Sequence, residues 1–598
     1  MSAASDLKSE AKTKPSSQLG NPDTKKEPAR DMIAAADIDD GEQDDFHPGP
    51  RLWAIIIGLG VTGLLTALEN TVVTVAMPYI ISDLAMGDDY VWVTNAFFVC
   101  SAAVQPLVGQ LANVFGRRWI MLASVAVFAL GSGICGGAAT GAMMIAGRAV
   151  QGLGSGGIGL LNEIIVSDLV PLRYRGNYIG VILSIYGVGT TLGPFIGGSI
   201  VATTTWRWIF YLNLPIAGAS LALLFVFLRV NYRRDMTFAE KVRRIDLLGN
   251  GVLVASTVSI LYALAYAGAS YSWQDWHVLV PLLVGFLGIF LFAYTQAGGG
   301  WLTAAEPVMP PRLFKGRTAI IVSINTFINS ALTFWAVFFL PVFFQAVLLF
   351  GPQHAGVALL PMSLVAIPGA ALAAAAISRW GRYKPVHVVG FAIFMLGLGL
   401  FTLQDPVSST AQWASYQCIC ALGGGVLLNS QLPAFQSTVP ERDQAAASAA
   451  WSFIRSVGWV WGVAIPASIF NSRIGELVGS GLISDPVAAK MLATGGAYGA
   501  ASAAQVEQFP DMVQAEMRWV YTLALRRVFQ ISIAFAGVGF LLSLFEDEIV
   551  LRKRLDTEFG LKHENDRYNR AKGIDAGTDS DPVGDGKDAA AGDVVQGV

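Results

Sequence analysis

Gly189-Thr-Thr-Leu-Gly-Pro-Phe-Ile-Gly-Gly198 sets four glycines and a proline inside an otherwise apolar, helical stretch. In a water-exposed helix each such glycine costs roughly 1 kcal/mol and the proline roughly 3. In a lipid-embedded bundle the same residues become useful. Gly189, Gly193 and Gly197 fall four apart on one helix face, where small residues admit a neighbouring backbone. Pro194 is expected to bend the helix at a defined point, with Gly198 closing the stretch.

The rest of the chain fits a membrane bundle. Of its 598 residues 54% are hydrophobic and only 14% charged, and the mean hydropathy is +0.52. Soluble domains carry about a quarter charged residues. The net charge of −3 conceals a segregation, with acidic residues crowding the tails and Lys and Arg flanking apolar segments, so a nucleic-acid partner is not expected. Cys100, Cys135, Cys418 and Cys420 all lie in apolar segments, and Cys418-Ile-Cys420 lacks redox or zinc spacing. The histidines are scattered and supply no metal cluster. No Gly-x4-Gly-Lys-Ser/Thr loop is present to bind ATP. The expectation is therefore no cofactor, no metal and no enzyme activity.

A span needs about 20 apolar residues, and fourteen segments qualify: 53–80, 91–112, 119–139, 142–165, 177–202, 208–229, 247–267, 277–296, 319–347, 354–377, 386–404, 412–436, 446–471 and 527–545. Lys and Arg are retained on the cytoplasmic side of short loops. One set of alternate loops carries Arg117 and Arg118; Arg173 and Arg175; Arg233, Arg234, Lys241, Arg243 and Arg244; Arg312, Lys315 and Arg317; Arg379, Arg382 and Lys384; and Arg442. The other set carries Asp83, Asp88, Asp89, Asp275 and Asp405, with Arg207 its one clear cation. Both termini are thus expected in the cytoplasm. Residues 1–50 have no apolar core of a signal peptide and, like 551–598, read as disordered polar tails. Residues 472–524 form the one long external loop, with a helical-looking segment from Met512 to Leu525.

An internal repeat organises these segments. Gly109 to Arg118 (GQLANVFGRR) and Ala374 to Tyr383 (AAAISRWGRY) match at an offset of 265, and the same offset lays the first helix on the ninth. Two parallel six-helix halves result, 51–230 and 298–550, with 231–297 supplying a linker and two inserted helices. Gly109 to Arg118 resembles motif A of the major facilitator superfamily, Arg148 to Gly154 (RAVQGLG) its motif B, and Gly189 to Gly198 its antiporter motif. Leu68 to Pro78 (LENTVVTVAMP) and Phe453 to Gly458 (FIRSVG) resemble the first and thirteenth helices of the fourteen-spanner drug:proton antiporters, particularly the fungal ones. The resemblance covers residues 51 to 550. Two departures qualify it, since Asn113 and Glu69 stand where the family usually has Asp. Asn113 cannot supply the anionic half of a cytoplasmic latch, which would then need Asp168 or Glu163.

The resemblance implies an all-α membrane protein of the MFS fold and a proton-coupled exporter of hydrophobic or amphipathic small molecules, working as a monomer in the plasma membrane. The alternatives are an uptake carrier for a siderophore or nutrient, and a transporter-fold nutrient sensor. Charges within hydrocarbon cost roughly 2.5–3.5 kcal/mol each and normally face a cavity or a partner. Glu69 lies roughly 16 Å and Arg148 on the order of 10 Å from the outer helix ends at 1.5 Å per residue, comparable depths. Glu69 is read as the proton carrier with Arg148 beside it, against the alternative of a fixed pair that only orients helices. Arg455, roughly 14 Å from the cytoplasmic face, contacts either an anionic substrate group or backbone carbonyls. Gln151 is a hydrogen-bonding neighbour for Arg148. Asn70, Asn325 and Asn329 serve either the cavity or contacts between helices. Phe334, Trp335, Phe338 and Phe339 either line a substrate cavity or face lipid and core. Gly109, Asn113, Gly116, Arg117, Arg118 and Asp168 are the expected cytoplasmic gate.

Overall fold

The computed structural model describes residues 49–84, 86, 91–229, 240–241, 245–267, 271–297, 307–440, 443–493, 497–498 and 500–551. Residues 1–48 and 552–598 of the two tails therefore lie outside the described residues, as do Arg233, Arg234, Arg243, Arg244, Arg442, Asp88 and Asp89. Fourteen helices among the described residues are long and apolar enough to cross a membrane. The first six are α1 (Pro50–Leu84), α2 (Val91–Phe115), α3 (Arg117–Gly136), α4 (Gly141–Leu169), α5 (Arg175–Thr203) and α6 (Arg207–Phe227). Two inserted helices follow, α7 (Leu247–Tyr266) and α8 (Trp276–Gln296). The last six are α9 (Arg317–Val342, prolonged by a π-helical turn Phe343–Val347), α10 (His354–Trp380), α11 (Lys384–Leu403), α12 (Thr410–Ser437), α13 (Gln444–Gly479) and α14 (Asp511–Leu544).

Helices α1–α6 pack among themselves, as do α9–α14, and the two halves meet where α5 crosses α10 and where α13 crosses α2 and α4. The repeat is visible in the backbone. Gly116 and Gly381, its counterparts at the two Gly-Arg turns, both adopt positive φ (88° and 68°), a conformation that L side chains resist. The inserted pair rests on the seam between halves, with α7 against α2 and α13. A buried polar knot holds it there. Gln110 accepts from the Asp246 backbone N–H at 3.2 Å and from Asn250 at 2.7 Å, and Gln296 donates to Asp246 at 2.7 Å.

The expected external loop at 472–524 is shorter than its hydropathy implied. Helix α13 continues to Gly479, and α14 begins at Asp511, so the helical-looking segment is the first part of the final span. The arginines that interrupt its hydropathy are accommodated on carbonyls: Arg518 donates to Val347 at 2.6 Å and Pro406 at 3.2 Å, and Arg526 to Thr402 at 3.1 Å. Between the helices, Ala488, Leu492 and Val506 are buried in one apolar cluster with Phe339 and Phe343 of α9. The connection is thus part of the core of the second half.

Candidate functional site

The glycine stretch of α5 lies on α1. A Cβ at Gly189 would come 2.9 Å from that of Ala67, one at Gly193 only 1.8 Å from Thr71 Oγ1, and one at Gly197 3.1 Å from the Val72 carbonyl oxygen. These approaches leave no room for a side chain on that face. Helix α5 runs unbroken from Arg175 to Thr203. Beyond their place in it, Pro194 and Gly198 lie outside the described residues, and so does the expected bend. The seam covers the same turns of α1 that carry Glu69 and Asn70.

Glu69 and Arg148 meet. The Glu69 carboxylate accepts from Arg148 Nη1 and from Asn213 Nδ2 of α6, and both charged side chains are almost wholly buried. Arg148 also donates to Gln151 Oε1 at 2.7 Å and to the Val93 carbonyl at 2.8 Å, and its guanidinium lies 4.3 Å from the Phe97 ring centre. Gln151 donates in turn to Ser132 of α3 at 2.8 Å. Five helices of the first half therefore converge on one carboxylate, and nearly every polar atom of the cluster is bonded, as burial in low dielectric demands. Sequence reading found Glu69, Arg148 and Gln151 but missed Ser132 and Asn213. The available signal for Asn213 was an amide at the start of an apolar span, in Leu212-Asn-Leu-Pro215. Asn70, adjacent to Glu69, faces away from this cluster and hydrogen-bonds the Tyr186 side chain of α5.

Each carboxylate proposed for the latch has its own arginine. Asp168 accepts from Arg117 Nε at 2.8 Å, while Arg117 Nη1 donates to the Ala112 carbonyl at 2.8 Å, so the pair bypasses Asn113. Glu163 pairs instead with Arg455 at 2.6 Å, which joins α4 to α13 across the halves. Arg455 thus takes a carboxylate rather than backbone carbonyls. Gly109 lies at a second cross-half contact, where a Cβ would stand 2.6 Å from Ala449. Arg118 turns outward, donating to the Phe225 carbonyl at 2.6 Å and lying over the Trp119 and Phe225 rings.

The loop arginines read only as topology signals include several ties between the halves. Buried Arg175 donates to Gln436 Oε1 at 2.7 Å and to Gln444 of the second half, and to the Ser167 carbonyl at 2.6 Å in its own. Arg173 donates to the Arg379 carbonyl at 2.7 Å, and Ser378 returns a bond to the Arg173 carbonyl at 3.1 Å. Asn429 donates to the carbonyls of Gly176 and Ala370, both at 3.0 Å. These ties, with Gln105–Ser456 at 3.1 Å and Glu163–Arg455, all fall between the middle of the bundle and its basic-loop end. At the opposite end Arg207 bonds Asp83 at 2.9 Å within one half. This bond and the Trp206 indole hold the Asp83 carboxyl below its usual range.

Asn325 contacts Glu546, just past the end of α14, at 3.1 Å, and Asn329 contacts Gln431 of α12 at 3.4 Å. His387 of α11 is fully buried, with its Nδ1 2.8 Å from Glu546, a pair that the scattered histidines of the sequence did not announce. Of the four aromatics of α9, Trp335 and Phe339 are core residues. Phe334 and Phe338 stack on each other, and Phe334 stacks on Trp459 of α13 with ring centres 5.1 Å apart.

These features define a membrane carrier of two pseudo-repeated halves, and comparison with known proteins agrees. Residues 59–463 match the Major Facilitator Superfamily, and the chain belongs to that family. It is 59% identical over 523 residues to the MFS-type transporter TwmF of Talaromyces wortmannii, covering 88% of this chain and 95% of that one. It is 42% identical to the MFS efflux transporter aclA of Aspergillus oryzae, covering 91% and 98%. The crystal structure of the human organic anion transporter MFSD10 shares the fold, with a TM-score of 0.55 at 14% identity over 83% of this chain and all of that one.

Proposed function

We propose that the protein exports hydrophobic or amphipathic small molecules across the plasma membrane in exchange for protons, as a monomer with both termini in the cytoplasm. The observation that carries this reading is the burial of Glu69 on a single guanidinium. One proton converts the neutral Glu69–Arg148 pair into a cluster of net charge +1, and Asn213, Gln151 and Ser132 remain to satisfy whichever oxygen or N–H is released. The glycine seam transmits that change, because α5 touches α1 beside Glu69 and reaches α10 of the other half near Gly187 and Ile367.

The ties at the basic-loop end fit a carrier closed toward the cytoplasm and able to receive protons from outside. The segregation of Lys and Arg supports the orientation, and the efflux names of similar fungal proteins support the direction. Proteoliposomes test the reading. Substrate flux should rise with an imposed pH gradient in the native protein and lose that dependence in Glu69→Gln. Flux through Glu69→Gln that still followed the gradient would refute it.

A further inference from the structure

A second charged pair, Glu163–Arg455, has a setting that the Glu69 cluster lacks. Each side chain keeps about an eighth of its surface open (12% and 14%), and the pair joins α4 of one half to α13 of the other. Arg455 is already held on two sides. Nη1 meets Glu163, Nη2 donates to Ser452 at 3.1 Å, and the guanidinium lies 4.5 Å from the Trp451 ring centre and 5.3 Å from that of Trp459. Residues 451, 455 and 459 are spaced four apart on one face of α13, which is how a helix stacks an arginine between two indoles. The Arg455 Nε–H, although buried, has no protein acceptor. Leaving a charged donor unsatisfied is costly, and the Nε edge of a guanidinium is shaped for a planar oxyanion.

From Trp459 the aromatic surface continues. Phe334 stacks on it at 21° and Phe338 on Phe334 at 28°, a ladder that runs from Arg455 toward the acidic-loop end. We propose that this is the recognition site for planar aromatic acids, with a carboxylate, enolate or phenolate oxygen on Arg455 Nε and the ring system along Trp459 and Phe334. Glu163 is the resident competitor, whose charge limits how tightly an acid is held and thereby favours its release. The inference rests on the reading that the space between the halves is the transport path, and it adds the class of substrate.

The test uses full-length protein in nanodiscs and two fluorescent probes, pyrene-1-carboxylate and its uncharged methyl ester, followed by anisotropy. The acid should bind roughly tenfold more tightly than the ester, the scale of one hydrogen bond to a charged group. Arg455→Gln should erase that difference and leave the ester's affinity in place. Arg455→Lys, which keeps the charge without the planar fork, should lose most of it. Glu163→Gln should strengthen acid binding by about tenfold, since a like charge is removed. Equal affinities in the native protein, binding of neither probe, a preference that survives Arg455→Gln, or acid binding unmoved by Glu163→Gln would each overturn the inference. Gradient-driven flux without acid preference would sink this inference alone, whereas acid preference without gradient-driven flux would sink only the proton coupling.

Discussion

The two buried glutamate–arginine pairs use the same chemistry in opposite settings. Glu69–Arg148 lies within one half and is ringed by Gln151, Asn213, Ser132 and the Val93 carbonyl. Glu163–Arg455 bridges the halves and is left with an unbonded Nε–H. A pair inside one rigid body need not break when the halves move, so its charge state can change by protonation while its geometry stays. A pair across the seam must part whenever the seam opens. The first fits the proposed storage of a proton and the second the proposed recognition of substrate. In the proposed mechanism two arginines thus divide two tasks by where their partners are anchored.

This contrast can be broken by experiment. Arg148→Gln should have the largest effect, about 3–5 kcal/mol of lost stability, because it strands a buried carboxylate. The double variant Glu69→Gln/Arg148→Gln should recover most of that loss in thermal unfolding while remaining without gradient-driven flux. Stability unchanged by the single substitution would mean that the cluster is wetter than its geometry implies.

Glu163→Gln should cost less, since Arg455 keeps Ser452 and both indoles. Its effect should appear instead in the equilibrium between the halves. Ala374 packs on Gly176 across the seam, so a cysteine introduced at position 374 should be alkylated severalfold faster once this tie is cut, each tenfold corresponding to about 1.4 kcal/mol. Alkylation at the native rate would show that the remaining ties, those of Arg173, Arg175, Asn429 and Gln105, hold the seam without Glu163. Arg207→Gln at the opposite end is the smallest change. Its bond to Asp83 is solvent-exposed and such pairs contribute little, so thermal unfolding should not separate this variant from the native protein.

Much of this was legible along the chain. The fourteen spans, the repeat at offset 265 and the close-packing face of Gly189, Gly193 and Gly197 follow from composition and periodicity, because lipid permits few ways to satisfy a backbone. The comparable depths of Glu69 and Arg148, together with the place that the family resemblance gives their two helices, brought them together on paper. The long external loop was misjudged because Arg518, Arg526 and Arg527 break the hydropathy of a helix that does not itself break. Arg173 and Arg175 looked like topology signals, since a charge at a helix end has that role whether or not it also bonds across a seam.

What the amino-acid sequence determined by itself is local and periodic: where the chain spans, which end of the bundle is basic, and which helix faces are bare of side chains. Tertiary structure alone decided the partners. Asp168 and Glu163 sit five residues apart on α4, and nothing in their spacing assigns one to Arg117 of the same half and the other to Arg455 of the opposite half. That choice depends on how α13 crosses α4, a contact between residues nearly 300 positions apart, and only the packing of helices fixes which charge each one meets.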